Sequence, residues 1–521
     1  MKYNTNFKCV KLGFMMIVLC MWLVGCAQKD ESADISDSIK ETTTEENAME
    51  ETTTENRETT LDTEVEEVDT SAVELDIVFS TVEYKNADYQ ESFEGENIVT
   101  FSDGEEIYIT ESGIYEFSGT YEESTIVVNV DKDVDKGIVY LLLNNATISS
   151  ENGTPIYIME AKNVVILLVD GSSNFINQGE ITTDDEEFPS AAIYSKADTV
   201  IAGTGSLEIT TLYNDGINGR DDLIIENVSL NLNTAGDGIV AKDYLACSDV
   251  TIEMIAGGDG IKSTNDEESD KGSFIITSGT FLIEAQKDAI SAANTLQIDD
   301  GEFELSSGGG YVEILNSITV GEGSGNTIQP SSQLEYSMKG LKAYNMILNG
   351  GTVKISAYED GIHANNELEI NGGTLTIYSG DDAVHADNTL VINDVTLGIG
   401  VGYEGIEADI LIINGGNIYV AVLDDAINGG SSDGYLEING GNIYLYSLGD
   451  GLDANGDLTI TGGEFIFEIE SIYSGGDSEV DASGTLTITG GTFMDVDGNE
   501  IDPTSLSSQG GMSNKHGSSR R

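Results

Sequence analysis

Acidic residues return at one position of a motif that is repeated five times in the second half of the chain. The motif reads Asp-Gly-Ile-His-Ala at 360–364 and Asp-Ala-Val-His-Ala at 382–386, and it continues from Glu404, Asp425 and Asp450. The spacings are 22, 22, 21 and 25 residues. If successive repeats stack, these carboxylates form a column, and carboxylate oxygens are ligands that suit Ca²⁺.

The same motif lies upstream at Asp215, Asp237, Asp259 and Asp288. We expect two or three stacked carboxylates and a neighbouring acid to enclose Ca²⁺. The candidate metal ligands are Asp215, Asp237, Asp259, Asp360, Asp382, Glu404, Glu407 and Asp425. The alternative at each position is a turn aspartate that accepts hydrogen bonds from backbone amides. The chain does not satisfy the calcium-loop consensus Asp-x-Asp-x-Asp-Gly, so the individual ligands rest on stacking alone.

A second column follows three residues after each acid. It comprises Lys342, His363, His385, Glu407, Asn428 and Asp453. Lys342, His363 and His385 are candidate carbohydrate-binding residues, because stacked bases beside acids can bind a sugar carboxylate or hold a general base. Surface decoration of a turn is the alternative. A two-histidine zinc site is less favoured, since the neighbouring ligands are oxygen-rich and no cysteine is near.

Two tyrosines are further candidates for carbohydrate binding. Tyr419 and Tyr444 occupy equivalent outward positions of adjacent repeats. Their rings can stack on sugar rings, although cross-strand stabilisation explains the same spacing. The single tryptophan, Trp22, lies in an expected signal peptide. We therefore expect no tryptophan platform for neutral crystalline polysaccharide.

The repeat predicts the elements that hold these columns. Leu368 and Ile370 form an apolar pair at strand spacing, as do Leu375 and Ile377, and a Gly-Gly turn separates the two pairs. Coils of about 22 residues that each contain short strands predict an all-β, right-handed parallel β-helix. A leucine-rich solenoid is disfavoured because the unit has no helical periodicity. We expect this domain to span residues 75–495.

Two smaller expectations follow from the same alignment of repeats. An asparagine column at one corner should comprise Asn265, Asn294, Asn345, Asn366 and Asn388. Cys247 falls in the apolar column that holds Ile370 and Ile392, which predicts a buried and inert thiol.

The termini have a different composition. Residues 1–26 resemble a lipoprotein signal peptide, with lysines before an apolar run and Leu-Val-Gly-Cys ending at Cys26, the expected lipidation site. An ordinary cleaved signal or a membrane anchor is the alternative. Residues 27–72 predict a disordered Thr/Glu tether, and residues 505–521 predict a disordered tail. The expected location is thus the outer face of a bacterial membrane.

The net charge of −71 disfavours nucleic acid as a partner. So much negative charge on stacked coils repels itself unless solvent or cations neutralise it. Divalent cations outside the cell are the natural candidates. We expect a monomer.

The ordered series of motifs resembles one bacterial family. The motifs are Asn214-Asp215-Gly216-Ile217, Gly236-Asp237-Gly238-Ile239, Gly258-Asp259-Gly260-Ile261-Lys262-Ser263, Lys339-Gly340-Leu341-Lys342-Ala343, Asp360-Gly361-Ile362-His363-Ala364 and Tyr403-Glu404-Gly405-Ile406-Glu407-Ala408. They look like those of the carbohydrate-binding β-helix proteins of bacterial cell surfaces, which have a pectate-lyase-like shape. The resemblance implies bound calcium and recognition of acidic plant cell-wall polysaccharide, notably polygalacturonate.

Two other function classes stay open. A pectate-lyase-like β-elimination needs a lysine or arginine base beside Ca²⁺. The plausible bases are Lys242, Lys262, Lys342 and Arg220. None lies in a recognisable lyase signature, so we favour a binding protein over an enzyme. A structural or adhesion stalk without a glycan ligand is the third class.

Overall fold

The structure, a computed structural model, describes residues 77, 79–101, 106–180, 189, 191–311, 336–432, 434–470 and 478–506. Residues from Phe79 onward group into one compact unit. The predicted signal peptide, Cys26 and the tether lie outside the described residues, as does the predicted tail beyond residue 506. The tail was predicted to begin at residue 505, which is wrong, because Ser505 ends a 3-10 helix and Leu506 is buried. Within the described ranges, no helix has the length and apolar character needed to cross a bilayer.

The regular structure of the described residues is almost entirely β, in 39 strands joined by turns. The first thirteen are β1 (Ile98–Phe101), β2 (Glu106–Ile109), β3 (Gly113–Tyr121), β4 (Thr125–Asn129), β5 (Ile138–Ser150), β6 (Ile156–Glu160), β7 (Asn163–Leu168), β8 (Ser173–Gln178), β9 (Ala191–Ser195), β10 (Asp198–Ala202), β11 (Ser206–Thr211), β12 (Asp215–Gly219) and β13 (Asp222–Glu226).

The next thirteen are β14 (Ser229–Thr234), β15 (Ile239–Ala241), β16 (Tyr244–Ser248), β17 (Val250–Ala256), β18 (Ile261–Ser263), β19 (Ser273–Ile276), β20 (Gly279–Ala285), β21 (Ile290–Ile298), β22 (Glu302–Ser307), β23 (Leu341–Leu348), β24 (Thr352–Ala357), β25 (Ile362–Ile370) and β26 (Thr374–Tyr378).

The last thirteen are β27 (Val384–Ile392), β28 (Thr396–Val401), β29 (Ile406–Ile413), β30 (Asn417–Ala421), β31 (Ile427–Gly429), β32 (Tyr435–Ile438), β33 (Asn442–Ser447), β34 (Leu452–Ala454), β35 (Asp457–Ile460), β36 (Glu464–Ile469), β37 (Val480–Ala482), β38 (Leu486–Ile488) and β39 (Thr492–Asp495). A short 3-10 helix, Pro503–Ser505, follows them.

These strands form a parallel β-helix, as the sequence predicts. Strands of one coil pair in parallel with their equivalents in the next, so that β25 pairs with β27 and β27 with β29. Each coil has three faces. The first face includes the start of β25, the second face includes its end, and the third face includes β26. This register places equivalent side chains of successive coils next to each other.

The apolar residues that point inward form one continuous core. Ile362, Val384 and Ile406 are fully buried in one column, and Leu368 and Leu390 in another. The same core includes Phe493 and Leu506, so it extends past residue 495.

Cys247 belongs to this core, which confirms its predicted place. It pairs with Ile225 on one side and Ile276 on the other, and its side chain is fully buried. Burial raises the pKa of the thiol. The thiol is therefore held in its neutral and unreactive form.

The predicted asparagine column is present in part. Asn366 donates to Asn345 at 2.8 Å and Asn388 donates to Asn366 at 3.3 Å. Asn294 instead donates to backbone oxygens, and Asn265 donates to Asp243, because the loop at 265–272 alters the corner there.

A longer ladder that the sequence analysis did not single out precedes a row of turns, most of which are Gly-Gly. It joins Asn349, Asn371, Asn393, Asn414 and Asn439. Most of the adjoining turns require glycine, since Gly373 and Gly441, for example, have φ of +96° and +107°.

A segment outside the coils covers part of the second face. Residues 82–93 fall within the domain predicted from residue 75, but their apolar side chains pack against the outward side of that face. The hydroxyl of Tyr244 accepts from the Lys85 N–H at 3.0 Å, and the Tyr140 hydroxyl accepts from the Gln90 N–H at 3.0 Å. The segment therefore shields outward apolar residues from water.

Candidate functional site

The predicted acidic column lies at the corner that leads into the first face. One oxygen of Asp237 accepts from the backbone N–H of Asp259 at 2.8 Å, and Asp259 accepts from Asp288 N–H at 3.1 Å. The same kind of contact to the next coil is made by Asp215, Asp360 and Asp425. One oxygen of each of these acids thus stabilises the coil stack, as turn aspartates do. The contacts of the second carboxylate oxygen of each acid determine which other groups or ions the column can bind.

In the upstream coils, the second oxygens face basic or amide side chains. The Lys262 ammonium lies 2.6 Å from Asp237 Oδ2 and 2.7 Å from Asp259 Oδ2. The Asn218 amide donates to Asp215 Oδ2 at 3.0 Å. The ammonium of Lys262 therefore takes the place of an ion beside Asp237 and Asp259, two of the predicted metal ligands.

Lys339 is a member of the column that sequence reasoning missed. It stands where neighbouring repeats have an acid, and its ammonium forms an ion pair with Asp360. The side chains are 14 % and 6 % exposed. Burial alone would raise the pKa of Asp360, but Lys339 and His363 outweigh it and lower that pKa. The replacement of aspartate by lysine at a fixed repeat position was the available signal.

Lys342 points outward beside this pair. Its ammonium is 3.7 Å from Asp288 Oδ2 and donates to the Ser337 hydroxyl at 3.1 Å. The side chain is 32 % exposed, more than that of either histidine in its column. Of the three predicted bases, Lys342 is the most accessible to an anionic ligand.

The two predicted histidines stack in register on the first face. The ring centroids of His363 and His385 are 4.8 Å apart and the ring planes differ by 6°. His363 Nδ1 lies 2.8 Å from Asp360 Oδ2. His385 Nδ1 lies 3.0 Å from Glu407 Oε2 and 3.3 Å from Asp382 Oδ2. Both rings are therefore oriented by carboxylates that the sequence placed in the same site.

The acids around His385 change the charge that the ring carries. Burial would lower the pKa of His385, but hydrogen bonds to Asp382, Asp387 and Glu407 outweigh it and raise the pKa. Asp382 is itself buried beside other acids, which raises its pKa. Asp387 lies two residues after His385, on the same outward side of the strand. It was not predicted as a site residue, although the two-residue spacing in the sequence indicates that side.

Downstream of the histidines the column contains mainly acids. Burial, followed by the charges of Asp382 and Glu407, raises the pKa of Glu404 well above its usual value. Burial and the charges of Asp424 and Asp453 likewise raise the pKa of Asp425 well above its usual value. Within the described residues, no ion pair joins Glu404, Asp425 or Asp453 to a base. These three acids therefore lack the lysine and histidine partners that acids upstream have.

Three acids of this part come close enough to share one ion. One oxygen each of Asp450, Asp453 and Asp481 lies within 4.8 Å of the others. Burial, Asp450 and Asp481 raise the pKa of Asp453 to about 7. An all-carboxylate set fits a hard cation such as Ca²⁺. These residues were visible as members of the repeat columns, but were not among the predicted ligands.

The two predicted tyrosines stack on each other on a different face. The rings of Tyr419 and Tyr444 are 4.8 Å apart at 11°, on the third face. The Tyr444 hydroxyl donates to Glu468. Gly398 is the neighbour of Tyr419 in the preceding coil. A Cβ at Gly398 would meet one atom within 4 Å, Leu375 O at 3.9 Å, so there is space beside the Tyr419 ring.

An open groove of about 610 Å³ lies at the corner between the second and third faces. Its lining residues are Asp394, Gly416, Asn417, Gly441, Asn442, Gly463, Glu464, Gly491 and Thr492. None of the predicted site residues lines it. The fold places neither the tyrosine pair nor this groove beside the acidic column.

The raised pKa values predict how metal-free protein responds to pH. Burial raises the pKa of Asp215 to about 6, and that of Asp453 is about 7, against ordinary values near 4. The folded chain therefore binds these protons more tightly than the unfolded chain, and stability is lost as pH rises from about 4 through 7. The acids with lowered pKa, such as Asp360, are already ionised at pH 5.

We expect the melting temperature in EDTA to fall by several degrees between pH 5 and pH 8. Asp453→Asn should reduce the fall, because the amide has no proton to lose. Differential scanning calorimetry at constant ionic strength measures both. A melting temperature that rises over this interval would contradict the assignment.

Comparisons with known proteins identify the family of this chain. A family model described as "Carbohydrate-binding domain-containing protein" matches residues 103–383 and 381–507. A carbohydrate-binding domain-containing protein of Acetivibrio thermocellus is 42% identical over 186 residues, which cover 35% of this chain and 64% of that relative. The chain thus spans 64% of the length of this curated relative.

A solved structure is also similar in sequence. It is a polysaccharide lyase-like protein from C. thermocellum, studied as a gadolinium derivative. The identity is 31%, the match covers 39% of this chain and 88% of that chain, and the TM-score is 0.36. The family match covers most of the described β-helix, and the chain therefore belongs to the carbohydrate-binding domain family.

Proposed function

We propose that this protein is a lipid-anchored cell-surface protein that binds acidic plant cell-wall polysaccharide of the polygalacturonate type with the help of Ca²⁺. The observation that carries the proposal is the charge distribution along one corner of the β-helix. Lysine and histidine side chains lie among the acids from Asp237 to His385, and acids predominate from Glu404 to Asp481. A polyanion can be held there only through cations, because the surface itself is anionic.

The ion is assigned mainly to the acidic end of the column. Burial and the charges of nearby acids raise the pKa values of Glu404, Asp425 and Asp453. A divalent cation therefore relieves more repulsion there than upstream. Asp237, Asp259, Asp360, Asp382 and Glu407 remain candidate ligands, but their oxygens are shared with lysine or histidine side chains. Asp215, also a candidate, accepts from an asparagine amide, as Glu404 does. Ca²⁺ would use its remaining positions for sugar carboxylates and water.

The sugar contacts are divided between two faces. Lys342 offers an accessible ammonium on the first face, and His363 and His385 lie in the same column. Tyr419 offers a ring beside the space over Gly398, and Tyr444 supports that ring from behind. We assign the carboxylates of the polymer to the first face and stacking of a sugar ring to Tyr419.

A glycan array, run in Ca²⁺ and again in EDTA, tests the proposed function. We expect binding to polygalacturonate in Ca²⁺ and a signal near background in EDTA. Cellulose should bind more weakly under both conditions. Binding to no glycan at all would favour a structural stalk, and new ultraviolet absorbance from unsaturated uronate would favour a lyase.

The membrane anchor is tested separately. Cys26→Ala should release the protein from the membrane fraction, because the acylated thiol of the lipobox would be missing. Fractionation followed by immunoblotting measures the change, and Cys247→Ala is the matched control. Full membrane retention of the Cys26 variant would contradict lipid anchoring.

A further inference from the structure

Each of the two stacked histidine rings has a carboxylate at its Nδ1 atom. Asp360 faces Nδ1 of His363 at 2.8 Å, and Glu407 faces Nδ1 of His385 at 3.0 Å. A carboxylate at Nδ1 holds the proton on that nitrogen and orients the ring. The same carboxylate–histidine pairing is the usual support of a metal-binding histidine, whose other nitrogen is then the ligand.

The other nitrogens of both rings face one carboxylate. Asp387 Oδ1 lies 3.1 Å from Nε2 of His385 and 3.7 Å from Nε2 of His363. The Asn365 amide nitrogen lies 3.2 Å from Nε2 of His363 and 3.5 Å from Asp387 Oδ2. The three candidate ligand atoms all lie within 4.8 Å of one another. They come from two neighbouring coils, so the parallel register creates the group.

We propose that His363, His385 and Asp387 form a binding site for a first-row transition-metal ion such as Zn²⁺, Co²⁺ or Ni²⁺. Two imidazole nitrogens and one carboxylate are a ligand set for these metals, whereas Ca²⁺ prefers oxygen ligands throughout. The site shares His363 and His385 with the proposed sugar contacts, but metal binding there does not require a glycan and goes beyond that function. It divides the column into a nitrogen-containing site upstream and an oxygen-only site around Asp453.

The geometry permits this site after a small adjustment. Bonds of about 2.0–2.2 Å to nitrogen and oxygen place ligand atoms of one ion roughly 3.4 Å apart. Both Nε2 to Oδ1 distances are already near that value. The parallel rings must tilt their Nε2 ends toward each other, which rotation of the side chains allows while each Nδ1 keeps its carboxylate.

The exposure of the three side chains suits an accessible site. His363 is 13 % exposed, His385 is 19 % exposed and Asp387 is 48 % exposed. The inner edges of the rings are thus held by the protein, and the Asp387 side is open to solvent. An ion bound there keeps positions for water or for an anionic ligand.

Spectroscopic titration with Co²⁺ tests the proposal directly. The mature chain without an affinity tag is titrated with Co²⁺ in excess Ca²⁺, which occupies oxygen-only sites. We expect visible absorption bands that saturate at one Co²⁺ per chain and are quenched by Zn²⁺. The bands should vanish in His385→Gln. The affinity for Co²⁺ should fall about tenfold or more in Asp387→Asn, and this variant should keep the fold because the side chain is exposed.

Two matched variants control for general effects. Asp409→Asn removes the equivalent exposed carboxylate one coil later, and His516→Gln removes the third histidine of the chain. Neither should change the bands. No bands in the wild type, unchanged bands in both His385→Gln and Asp387→Asn, or displacement of Co²⁺ by Ca²⁺ would each overturn the proposal.

Discussion

Saturating Ca²⁺ should raise the melting temperature of this protein by several degrees, and EDTA should reverse the gain. A ligand that binds only the folded chain stabilises it by about 2.7 kcal/mol when its concentration is one hundred times the dissociation constant. The gain should be larger at pH 8 than at pH 5, because protons then compete less for Glu404, Asp425 and Asp453. Scanning calorimetry after verified metal removal measures the shift.

Variants locate the ion that produces this shift. Replacing Asp450, Asp453 and Asp481 together by asparagine should abolish most of the response, because amide oxygens carry no charge. The control replaces three acids of the third face, Glu253, Glu302 and Glu304, by glutamine. Both variants remove three negative charges, so a general charge effect would change them equally. An undiminished calcium response in the first variant would refute the assignment to this end of the column.

Lys339→Ala should lower stability by about 3 kcal/mol or more, because it leaves the buried Asp360 without its ammonium partner. His363 still contacts Asp360, which limits the loss. Thermal or urea unfolding measures the difference. Lys354→Ala on the third face removes an exposed lysine and should change stability by less than about 0.5 kcal/mol.

Lys339→Met separates charge from packing in the same experiment. Methionine fills much of the space of the lysine stem but cannot pair with Asp360. We expect it to be nearly as unstable as the alanine variant. Wild-type stability in both variants would show that the pair contributes nothing and that Asp360 is neutralised by other groups.

The fold was predictable because each coil repeats the same inward pattern. Alternating pairs such as Leu368 and Ile370 specify a strand and the side that faces the core, and the period of about 22 residues specifies the stack. The register of His363 on His385 followed from the same arithmetic. Stacking therefore predicted which residues are neighbours along the axis.

The sequence could not predict features that depend on contacts the repeat does not determine. The segment 82–93 has no repeat, so its packing on the second face had no pattern to reveal it. The second oxygens of Asp237, Asp259 and Asp360 contact the side chain three positions later in the same coil or the next one, and that of Asp360 also contacts Lys339. Whether an acid is free for calcium or engaged by a base is thus decided by three-dimensional neighbours.

Isothermal titration of polygalacturonate into the mature protein, in Ca²⁺ buffer and in EDTA, tests the central claim most directly. The account predicts saturable binding in Ca²⁺, loss of at least about tenfold in affinity in EDTA, and weaker binding when Lys342 and His363 are both replaced by alanine. Lys354→Ala is the matched control and should bind as the wild type does. Equal affinity for polygalacturonate in Ca²⁺ and in EDTA, or tighter binding of neutral cellulose that survives EDTA, would contradict binding through bridging cations.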